Sequence, residues 1–447
     1  MNRKAPKIYV LGGGAAGLTA AIFALRTCPG VSLTVLEHNM KAGRKLLATG
    51  NGKCNLSNVQ MDAKFYDSFT DNGLISDVLK RFGTEETIRF FQSLGLPVKN
   101  RNGWLYPNSE QASSVLKVLL LELERLGAVI RNNTEVLSVE REPDGFLISL
   151  RETVFENAPK KKGKPGKKVP AGQTERKEHA DFVINCLGGP AGNNLGAGFN
   201  GTLIAEELGI RTRRFLPVLT AFKLNESFLS KLSGTRKECS LTLTRIRKNG
   251  ENPEIFPNSG EVLFTDYGIS GIAVMQLSGK VSACPEAEYV LSLNLFPEFG
   301  ESELGEKLTE HFEKEAVSGR KVCDALSGWL PASLIEVIIS GIFQETEPAT
   351  ADLTPADIEK ISESFHAFRL RVTGTNGFSQ AQAALGGVEL GEVTSGLEAA
   401  GIPGLFFAGE VLDAAGTCGG YNLQWAWATG SISGTACGMA AKRRLSE

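Results

Sequence analysis

A glycine turn near the N-terminus constrains the fold more than any other feature of this chain. Lys7–Leu11 is a short apolar run that predicts a buried parallel strand, and Gly12–Gly17 directly after it matches G-x-G-x-x-G. Leu18–Arg26 then carries alanine and leucine at helical spacing, and Ser32–Leu36 is a second predicted strand that ends at Glu37. A strand–turn–helix–strand unit of about 30 residues is typical of dinucleotide binding. The pattern therefore predicts an α/β fold with a Rossmann-like domain.

Each glycine of this turn has a separate physical role. Gly12 permits the tight turn, Gly14 lets backbone N–H groups approach a pyrophosphate, and Gly17 lets the helix pack closely on the strand. The helix N-terminus, at Ala15 and Ala16, adds a partial positive charge. Glu37 can accept hydrogen bonds from ribose hydroxyls, and its carboxylate would repel a 2′-phosphate. An NADP-type adenosine half is therefore disfavoured at this position.

A second glycine-rich segment, residues 43–58, follows the acidic residue closely. Its side chains Arg44, Lys45, Thr49 and Asn55, together with Gly50 and Gly52, are suited to wrap the pyrophosphate and to reach the reactive ring of the ligand. Cys54 has two open interpretations: a redox partner of that ring, or a structural thiol in a tight loop.

A third segment near the C-terminus completes the predicted site. The apolar run Gly404–Ala408 ends in Gly409-Glu410, where a carboxylate can bind ribityl hydroxyls, and a glycine turn then opens a final helix at about Tyr421. A helix N-terminus aimed at a flavin ring would stabilise the negative charge of the reduced ring. Because two glycine elements from opposite chain ends must converge on one long ligand, the prediction is FAD, and not NAD, as the resident cofactor.

The remaining segments predict a mixed α/β chain. Further helices are predicted at Glu85–Leu94, Ser113–Leu126, Glu301–Phe312, Leu330–Phe343 and Asn422–Ala441. Further strands are predicted at Val129–Ile130, Val136–Glu140, Phe146–Arg151, Asp181–Leu187, Val218–Leu224, Cys239–Arg247, Glu261–Thr265 and Phe368–Thr373. A second G-x-G-x-x-G match at Gly196–Gly201 lies too far beyond its strand, so it is interpreted as a helix-entry turn, with a nicotinamide-cofactor site as the alternative.

These motifs resemble the YhiN/BaiN-like flavoproteins, most specifically in Thr49–Asn55 and in Gly419–Ala426. The resemblance covers essentially the whole chain. It implies an FAD domain made of both chain ends (1–195 and 366–447), a β-barrel-like insert (196–295) and a small helical insert (296–365). It also implies reduction of an enone-type C=C bond in a small organic substrate, with NAD(P)H as a possible transient electron donor.

Two positions depart from the family pattern. Asp266 stands where the family's loop has histidine, which puts proton supply or specificity in question, and Lys53 replaces an arginine and so loses its bidentate fork. The turn Cys186–Gly189 is similar to the family's second FAD-contacting turn.

The site residues that follow from these motifs fall into two groups. The candidate catalytic residues are Asp266, Tyr267, Tyr421 and Cys54. The predicted FAD contacts are Gly12, Gly14, Ala15, Ala16, Gly17, Glu37, His38, Arg44, Lys45, Thr49, Gly50, Gly52, Cys54, Asn55, Val136, Gly188, Gly189, Gly409, Glu410, Gly420, Tyr421, Asn422 and Leu423. The substrate is expected between the FAD domain and the β insert.

Composition narrows the function classes. A net charge of −2 argues against a nucleic-acid or anionic-membrane partner for the body of the protein, and no apolar run reaches the roughly 18 residues that span a bilayer. Eight scattered cysteines without zinc-like spacing predict a reduced, cytoplasmic chain with no metal site. A homo-oligomer is possible.

Three alternative functions stay open. A flavin-dependent RNA-modifying enzyme would use the lysine run 160–168, within the predicted flexible hairpin loop Asn157–His179, to hold phosphates. A non-catalytic redox sensor would use Cys54 and Cys418. An NAD-only dehydrogenase would bind no flavin.

Overall fold

The computed structural model describes residues 5–157, 168–247, 251–344 and 347–447. The α-helices are α1 (Ala15–Thr27), α2 (Arg44–Ala48), α3 (Leu74–Arg81), α4 (Thr84–Ser93), α5 (Ala112–Arg125), α6 (Asn200–Glu207), α7 (Leu229–Leu232), α8 (Ile272–Ala283), α9 (Glu301–Ala316), α10 (Val322–Ala325), α11 (Ala332–Phe343), α12 (Pro355–His366) and α13 (Tyr421–Ser446).

The strands follow in the same chain order. They are β1 (Lys7–Leu11), β2 (Ser32–Leu36), β3 (Ser57–Asn58), β4 (Tyr66–Asp67), β5 (Val98–Arg101), β6 (Trp104–Pro107), β7 (Val129–Arg131), β8 (Thr134–Glu142), β9 (Gly145–Asn157), β10 (Lys168–Ala180), β11 (Phe182–Asn185), β12 (Thr212–Val218), β13 (Phe222–Leu224), β14 (Arg236–Ile246), β15 (Glu254–Thr265), β16 (Gly268–Ser270), β17 (Glu288–Asn294), β18 (Phe368–Thr375), β19 (Ala383–Val388), β20 (Leu405–Phe407) and β21 (Ala415–Gly416).

The chain divides into two compact units, Met1–Leu216 with Ala383–Glu447, and Pro217–Gln382. The domain limits expected from sequence lie elsewhere, at residues 195, 295 and 365. In the structure α6 belongs to the first unit, while the barrel strands and α9–α12 share one hydrophobic core in the second.

A parallel sheet organises the first unit, in the order β20-β11-β1-β2-β7. β1 pairs in parallel with β2 on one side and with β11 on the other, so that Val10 lies between Val35 and Ile184. All three of these side chains are fully buried. An apolar run buried on both faces is what a parallel strand requires. The predicted α/β Rossmann-like class is therefore confirmed.

A small antiparallel sheet, β10-β9-β8, belongs to the same unit. The expected flexible loop over Asn157–His179 is wrong for its second half, because residues from 168 onward form β10 and pair with β9. Arg151 and Glu175 face each other across this pair, and a hydrogen bond of 2.9 Å joins Arg151 Nε to Glu175 Oε1. Lysines 160–167 of the run lie outside the described residues.

The first and last helices pack against each other through a stripe of glycines. A Cβ added at Gly430, Gly434 or Gly438 would lie 2.6, 2.2 or 2.8 Å from a backbone oxygen of α1, on residues Ala16, Ala20 and Ala24 in turn. Because the contacts advance in the same direction along both helices, α1 and α13 run parallel. Their glycine contacts hold the two backbones at a separation too small for side chains at these positions.

The second unit holds a closed barrel in the order β13-β16-β15-β14-β17-β18, with α7–α12 in the same unit. The expected strand Val218–Leu224 is wrong as one element, because β12 ends at Val218 and β13 begins at Phe222. Leu219 between them has a φ of 53°, which breaks the extended backbone. Helices α3 and α8 were not predicted. Among the described residues, no helix combines the length and the apolar character needed to cross a membrane.

Candidate functional site

The turn between β1 and α1 has the backbone geometry that the glycine pattern predicts. Gly12 has a φ of 101°, and a Cβ on it would lie 2.5 Å from the carbonyl oxygen of Cys186. A Cβ on Gly17 would lie 1.9 Å from the carbonyl oxygen of Gly12. Gly14 differs, since a Cβ on it would meet open space, and α1 begins after it without a side-chain cap. The N–H groups of the first helical turn are therefore available to an anion.

Glu37 is buried beside this turn and holds its backbone. Its Oε2 accepts a hydrogen bond from Gly13 N at 3.1 Å, and its Oε1 accepts from Asn39 N at 2.7 Å and Asn39 Nδ2 at 2.8 Å. His38 Nδ1 lies 3.3 Å from Glu37 Oε1. A carboxylate has about four acceptor positions, so these bonds leave capacity for a ribose hydroxyl.

The loop after α2 is tightly wound. Gly50, Asn51, Gly52 and Cys54 all have positive φ, between 52° and 83°. Cys54 is fully buried, and burial raises the pKa of its thiol to about 12. A thiol with this pKa is protonated at neutral pH, so the burial of Cys54 favours its structural interpretation over the redox one.

Asn55 connects this loop to the start of the last helix. The side-chain amide of Asn55 is oriented so that its nitrogen faces acceptors and its oxygen faces a donor. Nδ2 donates to Leu105 O at 3.0 Å and to Ser57 O at 2.9 Å, while Oδ1 accepts from Gly420 N at 3.2 Å. Gly420 has a φ of 96°, and a Cβ on it would lie 2.6 Å from Ser57 O. The structure therefore brings the second and third predicted clusters together at the N-terminus of α13, which has no side-chain cap.

Lys45 and Glu410, both predicted to contact the cofactor, form an ion pair with each other. Glu410 Oε1 also accepts from Ala384 N at 3.0 Å, and its Oε2 accepts from Gly189 N at 3.3 Å. Glu410 is thus fixed against the turn after β11. Gly409 before it has a φ of 82°, and a Cβ there would lie 2.8 Å from the Ala16 side chain.

Tyr421 begins α13 as a buried residue. Its hydroxyl donates to Gln60 O at 3.1 Å, and burial raises its pKa above the ordinary value. The Tyr66 hydroxyl in turn donates to Tyr421 O at 2.8 Å. Burial makes the proton of the Tyr421 hydroxyl harder to release. Asn422 is occupied as well, since it closes the turn by accepting from Gly416 N at 2.9 Å and donating to Gly416 O at 2.8 Å.

Asp266 and Tyr267 lie in the second unit, in the turn between β15 and β16. Both are exposed, and the Tyr267 hydroxyl donates a hydrogen bond to Gln380 Oε1 at 3.5 Å. The barrel therefore places these two candidates side by side on a solvent-facing turn.

The other predicted contacts also have definite positions. Arg44 is exposed, and its guanidinium donates to Asn39 Oδ1 at 3.2 Å. Thr49 Oγ1 donates to Leu46 O at 2.7 Å, so its hydroxyl caps α2. Val136 is buried in β8 beside a register shift, and Gly188, with a φ of 73°, follows β11 near Glu410.

Two buried polar residues of the site were not predicted. Gln424 Oε1 accepts from Ser57 Oγ at 2.7 Å and from Thr87 Oγ1 at 2.9 Å, so it connects α13 to β3 and α4. Asp413 Oδ2 accepts from the Ser68 hydroxyl, Phe69 N and the Thr70 hydroxyl, while Oδ1 finds no partner among the residues that the structure describes. Burial raises the pKa of Asp413 in spite of these bonds. A polar residue inside the otherwise apolar Val411–Ala415 stretch was the available signal for Asp413.

The arrangement of α1 and α13 fits a long dinucleotide. Gly430 packs on Ala16, close to the start of α1, and Tyr421 begins α13 nine residues earlier. At 1.5 Å per residue, the N-terminus of α13 extends about 12 Å past the N-terminus of α1. Two uncapped helix ends at this offset can act on the pyrophosphate and on the ring of one FAD molecule. No group of three His, Cys, Asp or Glu side chains suited to a metal occurs within the described ranges.

Comparison with known proteins identifies the family of the chain. Residues 6–436 match the family model described as HI0933-like protein Rossmann domain. The chain is 35% identical to the 3-dehydro-bile acid delta(4,6)-reductase of Clostridium scindens, over 98% of this chain and 99% of the relative. It is 29% identical to the ribosomal RNA dihydrouridine synthases of Escherichia coli, over 94% and 95%, and of Haemophilus influenzae, over 97% and 98%. The chain therefore belongs to the HI0933-like family of Rossmann-domain flavoproteins, and it is an oxidoreductase of that family.

Proposed function

We propose that this protein is an FAD-dependent reductase that acts on a conjugated C=C bond of a small organic substrate. The observation that carries the cofactor proposal is the pair of parallel, uncapped helix N-termini, which the glycine contacts of Gly430, Gly434 and Gly438 hold at a fixed offset. Bound FAD would supply hydride transfer at the N5 atom of its ring.

The residues of the first unit would bind and orient the cofactor. The N-terminus of α1 would hold the pyrophosphate, Glu37 the adenosine ribose, and the N-terminus of α13 the polar edge of the ring. Asn55 keeps the α13 terminus in place through Gly420 N. The Lys45–Glu410 pair would fix the chain around the ribityl segment.

The substrate proposal is supported by the similarity to the relative from Clostridium scindens, which is a reductase of 3-dehydro bile acids. A 4,6-diene conjugated to a carbonyl is an enone-type acceptor. We propose Asp266 and Tyr267 as the groups that meet the substrate, because both are exposed on a barrel turn. Tyr421 is the weaker proton donor, since its hydroxyl is bonded to Gln60 O.

Anaerobic titration tests this function. The purified protein should show the visible absorption of oxidised flavin, NADH or NADPH should bleach it, and a panel of enones should restore it. Tyr267→Phe and Asp266→Asn should slow reoxidation by the enone and leave bleaching by the nucleotide unchanged. A colourless protein would refute the cofactor, and a flavoprotein that no enone reoxidises would refute the reaction.

A second candidate is a flavin-dependent RNA uridine reductase. The observation that favours it is the similarity to two ribosomal RNA dihydrouridine synthases over nearly the whole chain. Deletion of Pro159–Pro170 would test the accompanying idea that the lysine run holds RNA, because unchanged RNA association would exclude it. Loss of dihydrouridine in ribosomal RNA from a deletion strain would support this candidate over the small-molecule reductase.

A redox-sensor role is disfavoured. Burial raises the pKa of Cys54 to about 12 and that of Cys418 to about 11, and reactive sensor thiols need low pKa values. Cytoplasmic location and a homo-oligomeric state stay predictions.

A further inference from the structure

A small antiparallel sheet, β3-β6-β5, presents a cationic surface beside the cofactor loops, which are the glycine-rich segment 43–58 and the glycine turn that precedes α13. Lys99 and Arg101 lie two residues apart on β5, so their side chains point to the same face. Their cross-strand partners on β6 are Tyr106 and Trp104 respectively. The face therefore carries alternating basic and aromatic side chains.

This face carries more positive than negative charge. Glu110 forms ion pairs with Lys99, with Arg101 at 3.7 Å, and with Lys53 from the cofactor loop at 3.8 Å. Three cations thus surround one carboxylate and leave an excess of two positive charges. The three ammonium and guanidinium groups hold the pKa of Glu110 below its ordinary value. All three basic side chains are at least one third exposed, so they are open to a ligand.

The aromatic residues connect this face to the predicted ring end of the cofactor site. A Cβ on Gly50 would lie 3.9 Å from Tyr106 Cε1, and a Cβ on Gly419 would lie 3.6 Å from Trp104 Cε2. Asn58 of the same sheet donates from Nδ2 to Gly419 O at 3.0 Å. A ligand that reacts at the cofactor loops can therefore extend onto this surface.

We propose that the cationic surface, formed by Lys53, Lys99, Arg101 and Trp104, recognises the 2′-phosphate of NADPH. The proposal rests on the proposed reductase function, which needs an electron donor. A phosphate monoester carries close to two negative charges at neutral pH and matches the excess of two on this surface. Half-buried Trp104, cross-strand from Arg101, offers a ring face for the adjacent adenine.

The adenosine site of the glycine turn cannot serve this purpose. Glu37 lies there, and its carboxylate would repel a 2′-phosphate. The electron donor must therefore bind its adenosine elsewhere, and the cationic surface provides the opposite charge. Glu110 is the residue that competes with the phosphate for the same cations.

Isothermal titration calorimetry with two small probes tests the site without flavin chemistry. Adenosine 2′,5′-bisphosphate should bind the purified flavoprotein more tightly than adenosine 5′-monophosphate. Lys99→Ala/Arg101→Ala should weaken bisphosphate binding roughly ten- to a hundredfold, because charge-assisted hydrogen bonds are lost. Glu110→Gln should strengthen it, because the competing carboxylate is removed. Lys80→Ala/Lys117→Ala, an equal charge change at exposed helix positions, is the matched control and should have no effect.

Rapid reduction kinetics then distinguishes this site from the proposed function. In the Lys99→Ala/Arg101→Ala variant the Kd for NADPH should rise by the same factor, while the Kd for NADH stays within about twofold. Equal loss for both nucleotides, or no loss for either, would overturn the proposal. Bisphosphate binding that depends on this surface in a protein that no enone reoxidises would sustain the site and refute the reductase. If the variant instead loses only binding of a single-stranded RNA oligomer, the occupant is RNA and the proposal is wrong.

Discussion

Replacement of Gly434 by alanine should separate α13 from α1 and loosen the cofactor site. The added Cβ would lie 2.2 Å from Ala20 O and 2.9 Å from Ala20 Cα, where real Cβ contacts essentially never fall below 3.0 Å. The two helices would therefore have to move apart by about 1 Å at this contact, because the facing atoms of Ala20 belong to the main chain and cannot rotate away. Such overpacking costs about 1–3 kcal/mol, and the better helix propensity of alanine returns up to about 1 kcal/mol.

We expect a net loss of about 1–2 kcal/mol in the free energy of unfolding of the first unit, with weaker flavin retention. Gly341→Ala is the control, because Gly341 is exposed in α11 and a Cβ there meets nothing within 4 Å. It should stabilise its own unit by about 0.5–1 kcal/mol. Calorimetry together with hydrogen exchange of α1 and α13 measures both effects. If Gly434→Ala leaves exchange in α13 and the bound flavin unchanged, the argument from helix contact is wrong.

Three further predictions concern side chains inside the site. Cys54 should resist maleimide in the native protein and react after unfolding, because a pKa of about 12 leaves about one thiolate in a hundred thousand at neutral pH; rapid native labelling would contradict this. The pKa of Asp413 is raised in the folded state, so its contribution to stability is present below the ordinary value of 3.8 and is lost as pH rises through the raised value. The wild type should therefore gain stability relative to Asp413→Asn as pH falls from neutral. A constant difference in urea midpoint between the two proteins would refute this. Lys45→Ala and Glu410→Ala should each lower flavin retention. Their coupling energy in a double-mutant cycle should be about 0.5–1 kcal/mol, because Lys45 is 38% exposed and solvent weakens its ion pair. Full additivity of the two changes would show that the pair does not cooperate.

Local patterns predicted the framework of the first unit well. The apolar runs of β1 and β2 and the turn at Gly12–Gly17 appear in the structure in the predicted order of strand, turn, helix and strand. These elements depend on contacts close in sequence, and glycine is required at Gly12 and Gly17 by the carbonyl oxygens that face them. The last helix was predicted within one residue at its start.

Elements whose stability comes from distant partners were not predictable in the same way. The ion pair of Lys45 with Glu410 joins residues from opposite ends of the chain, so no local pattern could predict that they pair with each other. Strand β10 is polar at most positions, and its pairing with β9 through residues such as Arg151 and Glu175 replaces the apolar signal of a strand. Helix α8 carries Gly279 together with Ser278 and Ser282 in its second half, and these residues weaken the helical pattern in the sequence.

The contact between the first and last helices also bears on how the chain folds during synthesis. The second unit, Pro217–Gln382, is one continuous segment, so all of its partners have left the ribosome before the C-terminal residues are made. The first unit must wait, because β20 and α13 complete its sheet and its helix pair. Until then Ala16, Ala20 and Ala24 of α1 lack their glycine partners, and this apolar helix face is exposed to chaperones or to aggregation. A truncated chain that ends before Leu405 should therefore contain a folded barrel and an N-terminal segment that neither folds nor retains flavin.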